Sequence, residues 1–274
     1  MSTHAAPRHT AATGMPLHSQ VWRESWRGLT GWAVALAAVC AAYLPFHASM
    51  STQMMDLINT LPPSLVKAVG YDQMISGAGY AQATIFGLIG FVLATIAVVG
   101  WGTKAVAGDE ESGTLELTLA HGVSRSRVVL ERALGVVSRL LVLGVVALVA
   151  ISVMNGPARL DLTPSAVLPG AAAFVGLTGL FGLAALAGGA VTGQRSVALG
   201  VGAGLAVASY VLNALGKQNT GWEWMLHVSP YGWAYQHDPL STGWDWGGLG
   251  LLLAGWAACL VAAVAGLRRR DVGT

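Results

Sequence analysis

The chain has 274 residues, 54% of them hydrophobic and only 10% charged, with a formal net charge of +2 and a mean hydropathy of +0.59. A water-soluble globule carries about 25% charged residues, so most of this surface faces lipid and no soluble domain is expected. The small positive balance reflects arginines and lysines held at one side of a membrane, not a nucleic-acid patch.

Residues 1–16, rich in Ala, Thr, His and Pro without periodicity, read as a disordered cytoplasmic tail. Residues 17–27, "LHSQVWRESWR", place Leu17, Val21 and Trp22 at helical spacing and predict a short amphipathic helix in the inner interface. The alternative is that they extend the first span. Residues 28–274 hold six apolar stretches of spanning length, roughly 28–47, 81–106, 133–154, 167–192, 196–215 and 245–267. Only the last contains an acid, Asp245, at its edge. Backbone groups have no water partners in lipid, so each must be helical, and the fold class is all-α and polytopic.

With the N-terminus inside, twelve of the fifteen Lys and Arg residues lie in cytoplasmic segments or at their edges. Only Lys67, Arg159 and Lys217 lie outside, and the even number of spans returns the C-terminus to the cytoplasm. Cys40 and Cys259 sit in apolar spans, as buried thiols with no disulfide framework. "AAVC" at 37–40 has bulky Val39 where lipoprotein cleavage needs a small residue, so the first span reads as an uncleaved anchor.

The outer loop 48–80 is broken by "LPP" and "GAG". Its Met50, Met54, Met55 and Met74 raise copper ligation, but without Cys or paired His they read as packing residues. Spans four and five are rich in Gly and Ala, and Gly200 and Gly204 suit close backbone approach between helices. They are no nucleotide fingerprint, since no strand precedes them. The outer loop 216–244 carries Trp222, Trp224, Trp233 and Trp244, interfacial anchors, and "SPYGW" at 229–233. Ser as cap and Pro at the first helical position predict a short helix dipping into the outer leaflet. His227, His237 and Asp238 fit interfacial hydrogen bonding better than a metal site.

The cytoplasmic loop 107–132 is different, because eight charged side chains fall within residues 108–132. Asp109, Glu110 and Glu111 precede a stretch expected to be helical over about 111–121, where they would favour the positive end of the helix dipole. Gly122 supplies a left-handed stop and Ser124 a cap for the next helix. Leu115, Leu117 and Leu119 alternate as in a strand, but a lone strand at a membrane surface has unpaired edges, so a helix is preferred. Its leucines suit a partner's groove and its carboxylates the basic rim of that groove.

"GDEESGTLELTLAHGVSRSRVVLERAL" at 108–134 resembles the loop between the second and third membrane helices of ABC-2 type permeases. "LPPSLVKAVG", "LDLTPS", "YVLNALG", "SPYGW" and "RRRDVG" are similar to blocks of the subgroup associated with actinobacterial antibiotic and multidrug exporters. The resemblance implies a plasma-membrane permease working with two copies of a separate ABC ATPase subunit and a second permease, identical or homologous. It implies no cofactor in this chain, ATP and magnesium being held by the partner. It makes the loop a coupling helix in which Asp109, Glu110, Glu111, Gly113, Thr114, Leu115, Glu116, Ser124 and Arg125 transmit nucleotide-driven motion. A helix rigidly continuous with spans two and three would act as the lever. The chain has no GxxxxGK[ST] of its own.

By the family's pattern spans two and five line the path, with Thr84, Phe86, Thr95, Tyr210 and Asn213 as candidates. The absence of buried charge points to amphiphilic or neutral cargo. No nucleophile, base or metal cluster in the spans suggests an enzyme. A sensor or assembly partner of an ABC ATPase is the alternative.

Overall fold

The computed structural model describes residues 16–49, 76–120, 122–218 and 220–270. Met50, Met54, Met55, Met74 and the "LPP" motif lie outside the described residues, as do residues 1–15 and "DVGT" at the C-terminus. Helix α1 spans Pro16–Tyr43. The second span is a rod of α2 (Gly77–Ala81), a π-turn (Gln82–Phe86), α3 (Ile89–Thr103), a second π-turn (Lys104–Gly108) and α4 (Asp109–Glu111). Then follow α5 (Thr114–Ala120), α6 (Arg125–Met154), α7 (Pro164–Thr192) and α8 (Arg195–Gly216). The outer segment folds into α9 (Trp224–Val228), α10 (Pro230–Tyr235) and α11 (Pro239–Thr242), before α12 (Trp246–Arg269).

Among the described residues six helices, Leu17–Ser49, Gly77–Glu111, Arg125–Met154, Ser165–Thr192, Arg195–Gly216 and Trp246–Arg269, are long and apolar enough to span a membrane. These are the six stretches read from hydropathy. Residues 17–27 run without a break into the first span, so the separate interfacial helix gives way to the alternative, an extended first span. The carboxylate of Glu131, on α6, accepts from the backbone N–H groups of Leu17 (3.0 Å) and His18 (3.3 Å), capping the N-terminus of α1 from a neighbouring helix.

Helix α7 is the centre of the bundle: 83% of its most apolar window is buried, against 17% for α12. It packs on α3, α6, α8 and α12, and its Phe174, Leu177 and Phe181 are fully enclosed. The large residues left exposed, such as Val34, Ile96, Val153, Val207 and Val261, lie on outer helices, where apolar side chains face lipid at no cost. Cys40 is buried and Cys259 half-buried, and both are free thiols.

The outer segment follows its local chemistry. Ser229 accepts from Gly232 N–H at 3.2 Å and Pro230 opens α10, as its sequence implied. The same hydroxyl donates to Ser209 O on α8 (2.6 Å), while Tyr231 donates its hydroxyl to Gly87 O (2.9 Å). Buried Tyr231 and Tyr235 carry α10 into the bundle. His237 pairs with Asp245 (2.7 Å) and Asp238 accepts from Gln82 Nε2 (2.8 Å), so these two side chains turn to separate partners.

Candidate functional site

The acidic triplet lies on the last turn of the second spanning rod, not on the first turn of the loop helix. Gly113, at φ +73°, separates the two, and α5 begins only at Thr114. The expected helix over 111–121 is therefore shorter, and the dipole argument is reversed: three carboxylates crowd the negative end of a helix, a placement unfavourable by about 0.3–1 kcal/mol each. They are held there by three different neighbours. Asp109 pairs with Arg132 of α6 at 2.5 Å, the two side chains only 12% and 13% exposed. Glu110 pairs with Arg270, just past α12, at 2.6 Å. Glu111 accepts from the backbone N–H of Arg195 at 3.1 Å, and since Gln194 offers no side-chain cap, it caps the N-terminus of α8.

Consecutive residues on one helical turn thus address α6, α12 and α8. The second π-turn helps to set this fan, since an added residue per turn shifts the register of everything beyond it. Arg270 also donates to Ala190 O near the end of α7 (3.4 Å). Arg125 closes the C-terminus of α12, donating to Leu267 O (3.1 Å), Arg268 O (3.4 Å) and Arg270 O. Asp109, Glu110 and Glu111 are therefore engaged inside the chain, which corrects the expectation that these carboxylates meet a partner's basic rim, and Arg125 is engaged there as well.

Helix α5 hangs below this hub. Gly113 and Gly122 (φ +79°) both adopt the left-handed backbone that glycine tolerates best. The helix is hinged at both ends and not rigidly continuous with the spans, a second correction. Thr114 Oγ1 donates to Asp109 O at 3.0 Å and Ser112 Oγ to the same carbonyl at 3.1 Å, tying the hinge to the triplet. Leu115 is 1% exposed and anchors α5 in a cluster with Val106, Val128 and Leu267. Glu116 and Leu117, the latter 63% exposed, point outward. Ser124 caps α6, accepting from Arg127 N–H at 3.4 Å, as read from sequence.

The five path candidates do not share one surface. Phe86 is fully buried, its ring 5.4 Å from that of Phe174, and belongs to the core. Thr84, in the first π-turn, is half-buried. Thr95 and Asn213 are buried, and Thr95 Oγ1 and Asn213 Oδ1 find no hydrogen-bond partner among the described residues. Only Tyr210 is exposed, stacked on Phe91 at 6.3 Å. The free face of α3 is instead an apolar stripe of Leu88, Val92 and Ile96 with Gly100. Beside it, α8 presents Gly200, Gly204, Val207 and Val211.

Arg139, 6% exposed on the third span, contradicts the expected absence of buried charge. Its guanidinium lies 4.6 Å from the Trp101 ring centre, and its Nε donates to Gly135 O at 2.8 Å. An arginine seven residues beyond Arg132 in an apolar run was the available signal; sequence alone supplies no aromatic partner.

Among the described residues, six helices of spanning length, a short helix in the loop between the second and third, and three short helices before the last define a polytopic membrane subunit. Residues 17–220 match the family described as ABC-2 family transporter protein, and the chain belongs to that family. It is a multi-pass membrane protein, in keeping with the plasma membrane, and a permease subunit of an ABC transporter rather than an enzyme. Membership implies an ABC ATPase as partner. A search among curated proteins found no match.

Proposed function

We propose that this permease exports amphiphilic or neutral compounds, such as an antibiotic, a drug or a lipid, driven through α5 by a separate ATPase subunit. Two ATPase copies hold the ATP and magnesium, and a second permease, identical or homologous, completes the path. The observation that carries this reading is α5 itself: a short helix hinged by two left-handed glycines, anchored inward by Leu115 and turning Glu116 and Leu117 to the cytoplasm. A helix so placed fits a cleft in a motor protein, and the hub above it would pass a push to α6, α8 and α12. The apolar free faces of α3 and α8 suit the second permease copy and a cargo without charge.

The test is co-purification with a co-expressed ABC ATPase, followed by ATP turnover against lipophilic compounds. Turnover in the complex rises with cargo, and Glu116→Lys lowers ATPase binding at least about tenfold, as loss of a charge-assisted contact implies. Binding without stimulated turnover would assign the chain to sensing or assembly instead.

Asn213 tests the path. Its buried, unpartnered carboxamide oxygen makes Asn213→Leu neutral or stabilising by about 1 kcal/mol, because an unsatisfied acceptor is removed. Transport across a substrate panel changes in preference while ATPase binding does not. An unchanged panel removes Asn213 from the path.

A further inference from the structure

At the outer end of the bundle, the C-terminus of α8 and the α9–α10 corner frame an open cavity of about 460 Å³, which the transport reading leaves unused. Leu226 is its one large apolar lining residue. A Cβ on Gly216 would come within 2.9 Å of the Leu226 side chain, and one on Gly232 would strike the Leu226 carbonyl, so two glycines let this residue wedge between α8 and α10. Trp233 donates its indole N–H to His227 O at 2.6 Å, pinning the end of α9. The cavity is therefore set by close backbone packing before anything enters it.

Its rim carries both signs of charge. Lys217 and Glu223 line it together with His227 and the amides of Gln218 and Gln236. Among the described residues neither Lys217 nor Glu223 is ion-paired, with each other or elsewhere. Two opposite charges that share a cavity yet stay apart leave room for a ligand carrying the complementary pair. The depth is set by the flanking indoles: Trp222 and Trp224 are 43% and 57% exposed on either side of Glu223 in sequence, and such rings sit at the headgroup level.

We infer that this cavity binds the zwitterionic headgroup of an outer-leaflet lipid, a phosphate joined to a primary ammonium. The phosphate faces Lys217 and His227, and the ammonium faces Glu223. The amides of Gln218 and Gln236 satisfy the remaining phosphate oxygens. This assignment is independent of the ATPase and of any cargo.

The test uses the full chain in lipid nanodiscs, with retained lipid read by native mass spectrometry. Phosphatidylethanolamine is expected to be kept over phosphatidylglycerol, which lacks the ammonium, by about tenfold, the worth of one charge-assisted hydrogen bond. Lys217→Glu removes retention of phosphatidylethanolamine. Glu223→Lys reverses the preference towards phosphatidylglycerol. Both side chains are exposed, so neither change disturbs the core, and a melting curve equal to that of the unaltered protein checks this. Equal retention of the two lipids, or variants that behave like the parent, would overturn the inference. Displacement of the lipid by low concentrations of free glycerophosphoethanolamine would overturn the lipid assignment in favour of a soluble ligand of the same chemistry.

Discussion

Glu110→Arg is expected to abolish ATP-driven export, and Arg270→Glu added to the same chain is expected to restore a large part of it. In the parent, Glu110 and Arg270 are 2.6 Å apart with side chains 16% and 24% exposed, so the pair is mostly shielded from water. Placing a second guanidinium there leaves two cations facing each other at the junction of α4 and α12. Breaking a shielded pair costs about 3–5 kcal/mol at full burial and somewhat less at this exposure. The swapped pair regains the attraction, and a cation at the end of α4 gains slightly from the helix dipole. Rescue stays incomplete because the reversed side chain cannot donate to Ala190 O as Arg270 does. Glu116→Arg behaves differently: its carboxylate is exposed, so the fold melts as before and no arginine-to-glutamate change within the chain rescues it. ATP-driven uptake of a lipophilic compound into inverted vesicles, with melting of the purified variants, separates the two. Export by Glu110→Arg alone, or a double variant no better than the single one, would remove the hub from the transmission.

That distinction between Glu110 and Glu116 was not legible in the sequence, although both stood out as acids in an oily chain. Whatever depended on neighbours in sequence could be read: six spans from hydropathy, the Ser124 and Ser229 caps, the left-handed Gly122 and the Pro230 helix start. Each is a local preference of backbone or side chain. The partners of the acids are not local. Glu110 finds Arg270 across 160 residues and Leu17 finds Glu131 across 114. Hydropathy marks such charges as notable without saying what they meet. Phe86 packs in the core for the same reason: being on the second span does not fix which way a ring points, and the π-turn that holds it rotates that segment against α3.

Gly102→Val is expected to prevent correct folding, while Gly204→Val is expected to leave one copy intact and break its association with a second. Gly200 and Gly204 suit close approach between helices by their spacing, yet a Cβ on either meets nothing within 4 Å among the described residues of this chain. The intimate contact is elsewhere. A Cβ on Gly102 of α3 would overlap the carbonyl oxygen of Gly182 on α7, and Gly182 is itself hemmed in by Val98 and Val136. Backbone cannot yield as a side-chain end can, so α3 must move off the central helix. Overpacking of this kind costs typically about 1–3 kcal/mol, and here the shift also reaches the α4 hub that α3 carries. On α8 the arithmetic runs the other way. Valine is a slightly better helix former than glycine, by a few tenths of a kcal/mol, so a lone copy melts no earlier. If Gly200 and Gly204 form the seat of a second permease, branched side chains there hold the backbones apart and remove the close packing that drives association in lipid. Melting of the purified protein reads the first effect; cross-linking in membranes and subunit counting by photobleaching read the second. A Gly204→Val protein that pairs as well as its parent would place the second copy on another face, and a normally folded Gly102→Val protein would mean that α3 and α7 are less tightly apposed than their backbones indicate.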